Sequence, residues 1–290
     1  MSQRTGLVST AIAGILFGTS VPLIKLGLAY IPPDVFVALR FSIAAGIVLA
    51  LPARRVWIRP DLLRSGQLWI VIIINAAGYV LQFQGQRLTT SSNAALIIST
   101  AALMVPVLAL VYGSEKLGLR KVVGVVAGFL GTGLVITRGA SLSVAAPELV
   151  GDFMILGTAV TIALIFVLSK PLIETHGARP VAGGIILLTT LLLLPASLFD
   201  IGMPFNPVPV GWFYLVFLAV FATVGAYYFF TKGLETVSPI VSSIILPIEV
   251  IVAVALSVVI FGDPFNIVSG TGAVLIVAGV ILVSASTKET

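Results

Sequence analysis

The chain has no cysteine and one histidine, His176, among its 290 residues. Disulfides, thiolate nucleophiles and Cys-ligated metals are therefore excluded, and a lone imidazole nearly excludes His-based metal sites. No cofactor and no metal is expected. Charge is almost as scarce. Asp, Glu, Lys and Arg make up 9% of the chain, against roughly 25% in a soluble domain. Sixteen basic and 11 acidic side chains are too few to cover a water-facing surface. Apolar side chains take their place: 59% of residues are hydrophobic, before 28 glycines are counted, and the mean hydropathy is +1.18. These values imply an integral membrane protein. The net charge of +5 does not point to nucleic acid, because the basic residues sit in short stretches between apolar runs, a pattern of membrane orientation.

A helix needs about 20 mostly apolar residues to cross the hydrocarbon core. The apolar runs predict an all-α fold of ten spans, near 7–28, 34–52, 67–87, 92–112, 121–137, 151–170, 180–198, 210–231, 238–260 and 267–284. The longest polar stretch, Ala53 to Gly66, is too short for a domain, and a cleaved leader is not expected. Trp57, Trp69, Trp212, Tyr30 and Tyr112 fall near predicted helix ends, where amphipathic rings collect. With a cytoplasmic N-terminus, the inner segments hold twelve Lys and Arg, and the outer loops hold Arg87 and Arg138. This bias predicts a multi-pass protein of the cytoplasmic (inner) membrane with both termini inside.

The two halves repeat. An offset of 148 residues lays 77–134 over 225–282, pairing Tyr79 with Tyr227, Gly85 with Gly233, Glu115 with Asp263, Gly124 with Gly272 and Gly131 with Gly279. Residues 1–138 and 150–286 are the expected units of one membrane domain. Five spans per half is odd, so the second unit must insert upside down. Such inverted repeats build a substrate site near the bilayer midplane.

Gly18-Thr-Ser-Val-Pro-Leu-Ile-Lys25, followed by Ile31-Pro-Pro-Asp-Val-Phe-Val-Ala-Leu-Arg40, resembles the opening of an EamA-type repeat of the drug/metabolite transporter superfamily. Gly113-Ser-Glu115-Lys-Leu-Gly-Leu-Arg, Gly151-Asp152-Phe and Glu249 continue the resemblance over nearly the whole chain. The family's Glu-Pro pair is altered here, since Val250 follows Glu249 and the prolines stand at 106 and 247. The resemblance implies a ten-helix secondary transporter, often an exporter of amino acids or related metabolites. On overall impression it is similar to the aromatic amino-acid exporters of the YddG type.

Asn75, Tyr79, Gln82 and Gln86 recur along one face of the third span. They either line a cavity for a polar substrate or bond neighbouring helices, at about 1 kcal/mol each. Pro106 and Pro247, in spans four and nine, mark interrupted helices of the kind that flank transport sites. Beside them, Ser99, Thr100, Ser242 and Ser243, like Ser20 near Pro22, either line the site or bond their own helix carbonyls. Tyr227 and Tyr228 are the aromatic candidates in the eighth span. Lys25 and Arg40 either snorkel to the headgroups or form a cationic outer vestibule for a carboxylate. Glu249, placed about mid-span, must be protonated, paired or facing water. It can bind a substrate ammonium, carry a proton, or bond a neighbouring helix. The predicted cavity is lined by spans one, three, four, six, eight and nine.

Other classes fit less well. No Walker A sequence is present, so a primary pump is excluded. An embedded enzyme needs paired carboxylates, a Ser/His pair or metal ligands at depth, and this chain offers one deep carboxylate and one loop histidine. A channel would carry a repeated ring or filter, and a scaffold would leave the polar stripe unexplained. The expected partners are a small-molecule substrate and lipid, for a monomer or a weak homodimer.

Overall fold

The computed structural model describes residues 3–51, 54–111, 118–137, 147–200, 202–206, 208–239, 242, 246–262 and 266–285. No strand occurs among them. The first half contains α1 (Gln3–Gly27), α2 (Pro33–Ala50), α3 (Gly66–Leu88), α4 (Ser91–Ile98 and Ala101–Val111) and α5 (Leu119–Thr137). The second contains α6 (Pro147–His176), α7 (Ala178–Ala196) and α8 (Pro209–Ala219, Val220–Gly225 and Ala226–Leu234), then α9 (Leu246–Phe261) and α10 (Ile267–Ala285). Seven described helices are long and apolar enough to cross a membrane. Shorter apolar helices lie in α5, α9 and α10.

Local chemistry sets the ends. Pro33 opens α2, where a missing N–H costs nothing. Ser65 and Thr90 cap α3 and α4, accepting hydrogen bonds from Leu68 N and Asn93 N. Gly177, at φ 87°, turns α6 directly into α7, a conformation that favours glycine.

Two helices are irregular in ways the sequence reading did not place. α4 breaks at Ser99 and Thr100 rather than at Pro106, which lies inside its second piece. The Ser99 and Thr100 hydroxyls donate to Leu96 O and Ile97 O three residues back, and Ala102 and Leu103 also bond three residues back. These contacts compete with the normal ladder and tighten the turn. In α8 the stretch Val220–Gly225 is a π-helix, with the Thr223 hydroxyl donating to Leu218 O at 2.9 Å.

The helices pack as two related sets of five. α5 runs along α10, α2 packs on α7, and α4 packs on α9. α3 packs on α6 as α8 packs on α1; α6 packs on α4 as α1 packs on α9. Exchanging each helix with the one five places later maps these pairs onto one another. Glycines permit the closest approaches: a Cβ on Gly131 would stand 2.5 Å from Gly272 O, and one on Gly279 would stand 2.4 Å from Gly124 O. Large apolar side chains such as Ile73, Leu130, Val259 and Val274 face outward, while Asn75, Gln86, Arg40 and Asp152 are buried. That distribution suits lipid outside and a polar seam inside.

Candidate functional site

A cavity of about 770 Å³, including its opening, is lined by residues of α1, α3, α6, α8 and α9. The predicted α3 face supplies Asn75, Tyr79 and Gln82. Gly78, between them, lets α6 come close: a Cβ there would meet Thr161 Oγ1 at 2.2 Å. Asn75 donates to Thr189 Oγ1 at 3.1 Å and accepts from the Tyr227 hydroxyl at 2.6 Å. Ser20, Gln82 and Glu249 also line the cavity, and none of their side chains makes a hydrogen bond among the described residues. They are buried donors and acceptors available to a ligand.

The apolar part of the wall is aromatic. Phe17 meets Tyr227 edge-on with centroids 5.8 Å apart, and Phe166 meets Phe230 at 4.7 Å. The sequence reading missed Phe17, Phe166 and Phe230. It also missed Thr158 and Thr161, which line the cavity from α6. Their signal was faint: Phe17 lies three residues before Ser20, and the threonines are three apart, each on one helical face.

Other predicted residues lie elsewhere, and each placement has a local reason. Gln86 is fully buried beyond the cavity lining, and both of its amide heteroatoms lack a hydrogen-bond partner among the described residues. Thr100 bonds within its own helix, and α4 contributes no residue to the lining among the described residues. Tyr228, one residue past Tyr227, points away and packs against Trp57 at 5.6 Å and Arg179 at 6.0 Å. Ser242 is buried outside the lining, with its hydroxyl unpartnered. Ser243 lies outside the described residues. Glu249 lies in the first turn of the described part of α9, which begins at Leu246.

The vestibule expected from Lys25 and Arg40 is not formed by these side chains. Arg40 is 1% exposed and turned inward. Its Nε donates to Thr223 Oγ1 and its Nη2 to Ala222 O, both at 2.7 Å, in the π-helical part of α8. The widened turn disturbs the regular ladder, and the guanidinium fills the gap. Lys25 does not snorkel. Its Nζ donates to Gln86 O and Thr89 O, each at 2.7 Å, closing the C-terminal end of α3.

Lys170 of α6 repeats that arrangement. Its Nζ donates to Leu234 O at 2.7 Å, at the C-terminal end of α8, and it pairs with Glu174 at 3.2 Å. Leu234 is the counterpart of Gln86 under the 148-residue offset. The end of α8 meets the start of α1, where Gly233 lies against Gly6 and Thr10, whereas the end of α3 meets Lys25 at the end of α1, so the C-termini of α3 and α8 lie at opposite ends of the bundle. α1 packs with α8 and α3 with α6. Each lysine therefore bridges the same two helix pairs across the cavity, one at each end. At the Lys25 end, Thr89 hydrogen-bonds Asp152, and Gln84 donates to Asp34 at 3.0 Å. At the Lys170 end, Glu235 accepts from Lys232 and from Ala178 N, both at 2.8 Å.

The family model described as EamA-like transporter family matches residues 4–137 and 149–285. A Bacillus subtilis protein named uncharacterized transporter YetK is 26% identical over 99% of this chain and 89% of its own length. An Archaeoglobus fulgidus uncharacterized transporter is 25% identical over the full length of both chains. A solved crystal structure matches with a TM-score of 0.72 at 20% identity, covering 99% of each chain, which shows a shared fold. A helical bundle with apolar side chains outside and a polar cavity inside is a membrane architecture, and the two matched segments are its two sets of five helices. The chain is a multi-pass membrane transporter and belongs to the EamA-like transporter family.

Proposed function

We propose that the protein is a secondary transporter that carries small zwitterionic amino acids, those with aromatic or other neutral side chains, outward across the cytoplasmic membrane by alternating access. The observation that carries this reading is the cavity itself. It offers an acid with no partner among the described residues, Glu249, for an ammonium group. Gln82 and Ser20 offer neutral donors for a carboxylate, and Phe17, Phe166 and Phe230 an aromatic wall for a side chain.

The paired ties support the access mechanism. Two inverted halves that rock about a central site need a closure at each end, released in turn. Lys25 and Lys170 hold equivalent carbonyls at opposite ends. The excess of Lys and Arg in alternate connections supports a cytoplasmic N-terminus and a cytoplasmic Lys170 end. Outward movement rests on the family resemblance alone, since gradients can reverse a carrier. The test is counterflow in proteoliposomes preloaded with unlabelled amino acid. A carrier accumulates labelled phenylalanine or leucine against the preload, whereas a channel equilibrates both and an enzyme or a scaffold moves neither. No accumulation of any amino acid contradicts the reading.

A further inference from the structure

Arg40 is a charge that the fold leaves uncancelled. Its side chain is the largest of the fully buried ones, and a guanidinium remains protonated in a protein. It forms no ion pair among the described residues. Its two hydrogen bonds go to the neutral Thr223 hydroxyl and the Ala222 carbonyl, and Nη1 has no partner. α7, the counterpart of α2 in the second half, has no charged residue between Arg179 and Asp200. The bundle is thus electrically lopsided at this level. A buried cation with no counter-ion is costly, and in membrane proteins such residues mark substrate pathways.

The position of the charge says what it can do. Its Cζ lies 5.4 Å from the centroid of the Tyr79 ring, close enough for a cation–π contact. Tyr79 and Tyr227 both line the cavity, and Arg40 stands behind them as no lining residue itself. The Tyr227 hydroxyl is committed to Asn75 and Asn75 to Thr189, which ties this wall together. Gln82, one turn along α3 from Tyr79, has its amide free. A positive charge one side chain behind a wall of neutral donors makes that wall attractive to an anion. Arg40 is 1% exposed and packs on the Tyr79 ring, so bulk solvent does little to screen the field.

We infer that Arg40 is the specificity residue that selects substrates bearing an anionic group. It does so without touching them, by polarising the Tyr79–Gln82 side of the cavity, where the substrate carboxylate is held. Glu249, on α9, is the acid in the cavity lining, without a partner among the described residues, and takes the ammonium. Each group is completed only when the substrate is bound. This inference rests on the transport reading of the cavity and adds the orientation of the substrate and the residue that sets it.

The experiment is counterflow of labelled L-phenylalanine in proteoliposomes, with competition by L-phenylalaninamide, which keeps the amine and ring but lacks the carboxylate. In the wild type, phenylalanine should compete at least tenfold more strongly than the amide. Arg40→Gln should raise the phenylalanine KM about tenfold, leave inhibition by the amide within twofold, and change the maximal rate little. Arg40→Lys should restore most of the discrimination. A purely structural role predicts equal loss for both ligands and no rescue, and that result overturns the inference. Should Arg40→Gln fail to fold, the wild-type comparison decides. Equal competition by the two ligands sinks the inference while leaving transport intact, whereas no counterflow of phenylalanine or any other amino acid sinks the transport reading itself.

Discussion

At the scale of single residues, the proposed function assigns the chemistry to Gln82 and Glu249. Gln82→Ala removes a cavity-lining amide that has no hydrogen-bond partner among the described residues. The account predicts a loss of apparent affinity of about 1–3 kcal/mol, read as a rise in KM in counterflow, with the melting temperature unchanged because no internal bond is broken. Glu249→Gln keeps the shape and removes the charge. If the acid binds the substrate ammonium, exchange and pH-driven accumulation should fall together. If it carries a coupling proton, exchange should survive and accumulation should vanish. Wild-type behaviour in both assays removes Glu249 from the site. Three of the four polar residues on α3 were legible from spacing alone, because a helix aligns positions four and seven apart. Gln86 shares the stripe but not the cavity. Periodicity gives the face of a helix and not the depth at which the cavity ends.

At the scale of elements, the periodicity of apolar runs made the helices readable, but their irregularities were not. A proline is visible in sequence, so α4 was expected to break at Pro106. It breaks at Ser99 and Thr100, whose hydroxyls prefer their own carbonyls. The π turn of α8 has no sequence mark, and with it went the reason for the inward turn of Arg40. Close helix approach rests on the glycines of α5 and α10. Gly131→Val should separate α5 from α10 and lower the melting temperature in detergent by an amount matching about 1–3 kcal/mol, without altering substrate KM. Glu235 links α8 to α7. Burial opposes its ionisation, yet the Lys232 ammonium and Ala178 N–H outweigh that and hold its carboxyl below the ordinary 4.5. A group held lower in the folded state stabilises it above its unfolded value, and that contribution disappears as pH falls through the folded value. Acidification from about pH 6 to about pH 3.5 should therefore lower the melting temperature more in the wild type than in Glu235→Gln.

The whole molecule is a cavity held between two helix pairs, α1 with α8 and α3 with α6, with a lysine tie across each end. The sequence made the repeat visible and so suggested a site between the halves. The ties were hidden, because a lysine near a helix end looks the same whether it reaches for headgroups or for a carbonyl 61 residues away. The most direct test uses the absence of native cysteine. Asn75→Cys places one thiol in the cavity, to be labelled by an impermeant reagent applied from either side of the membrane. Adding Lys25→Met should raise labelling from the outer side, adding Lys170→Met should raise it from the cytoplasmic side, and substrate should protect in both cases. Labelling that rises from the same side in both variants, or in neither, contradicts a cavity gated alternately by these two ties.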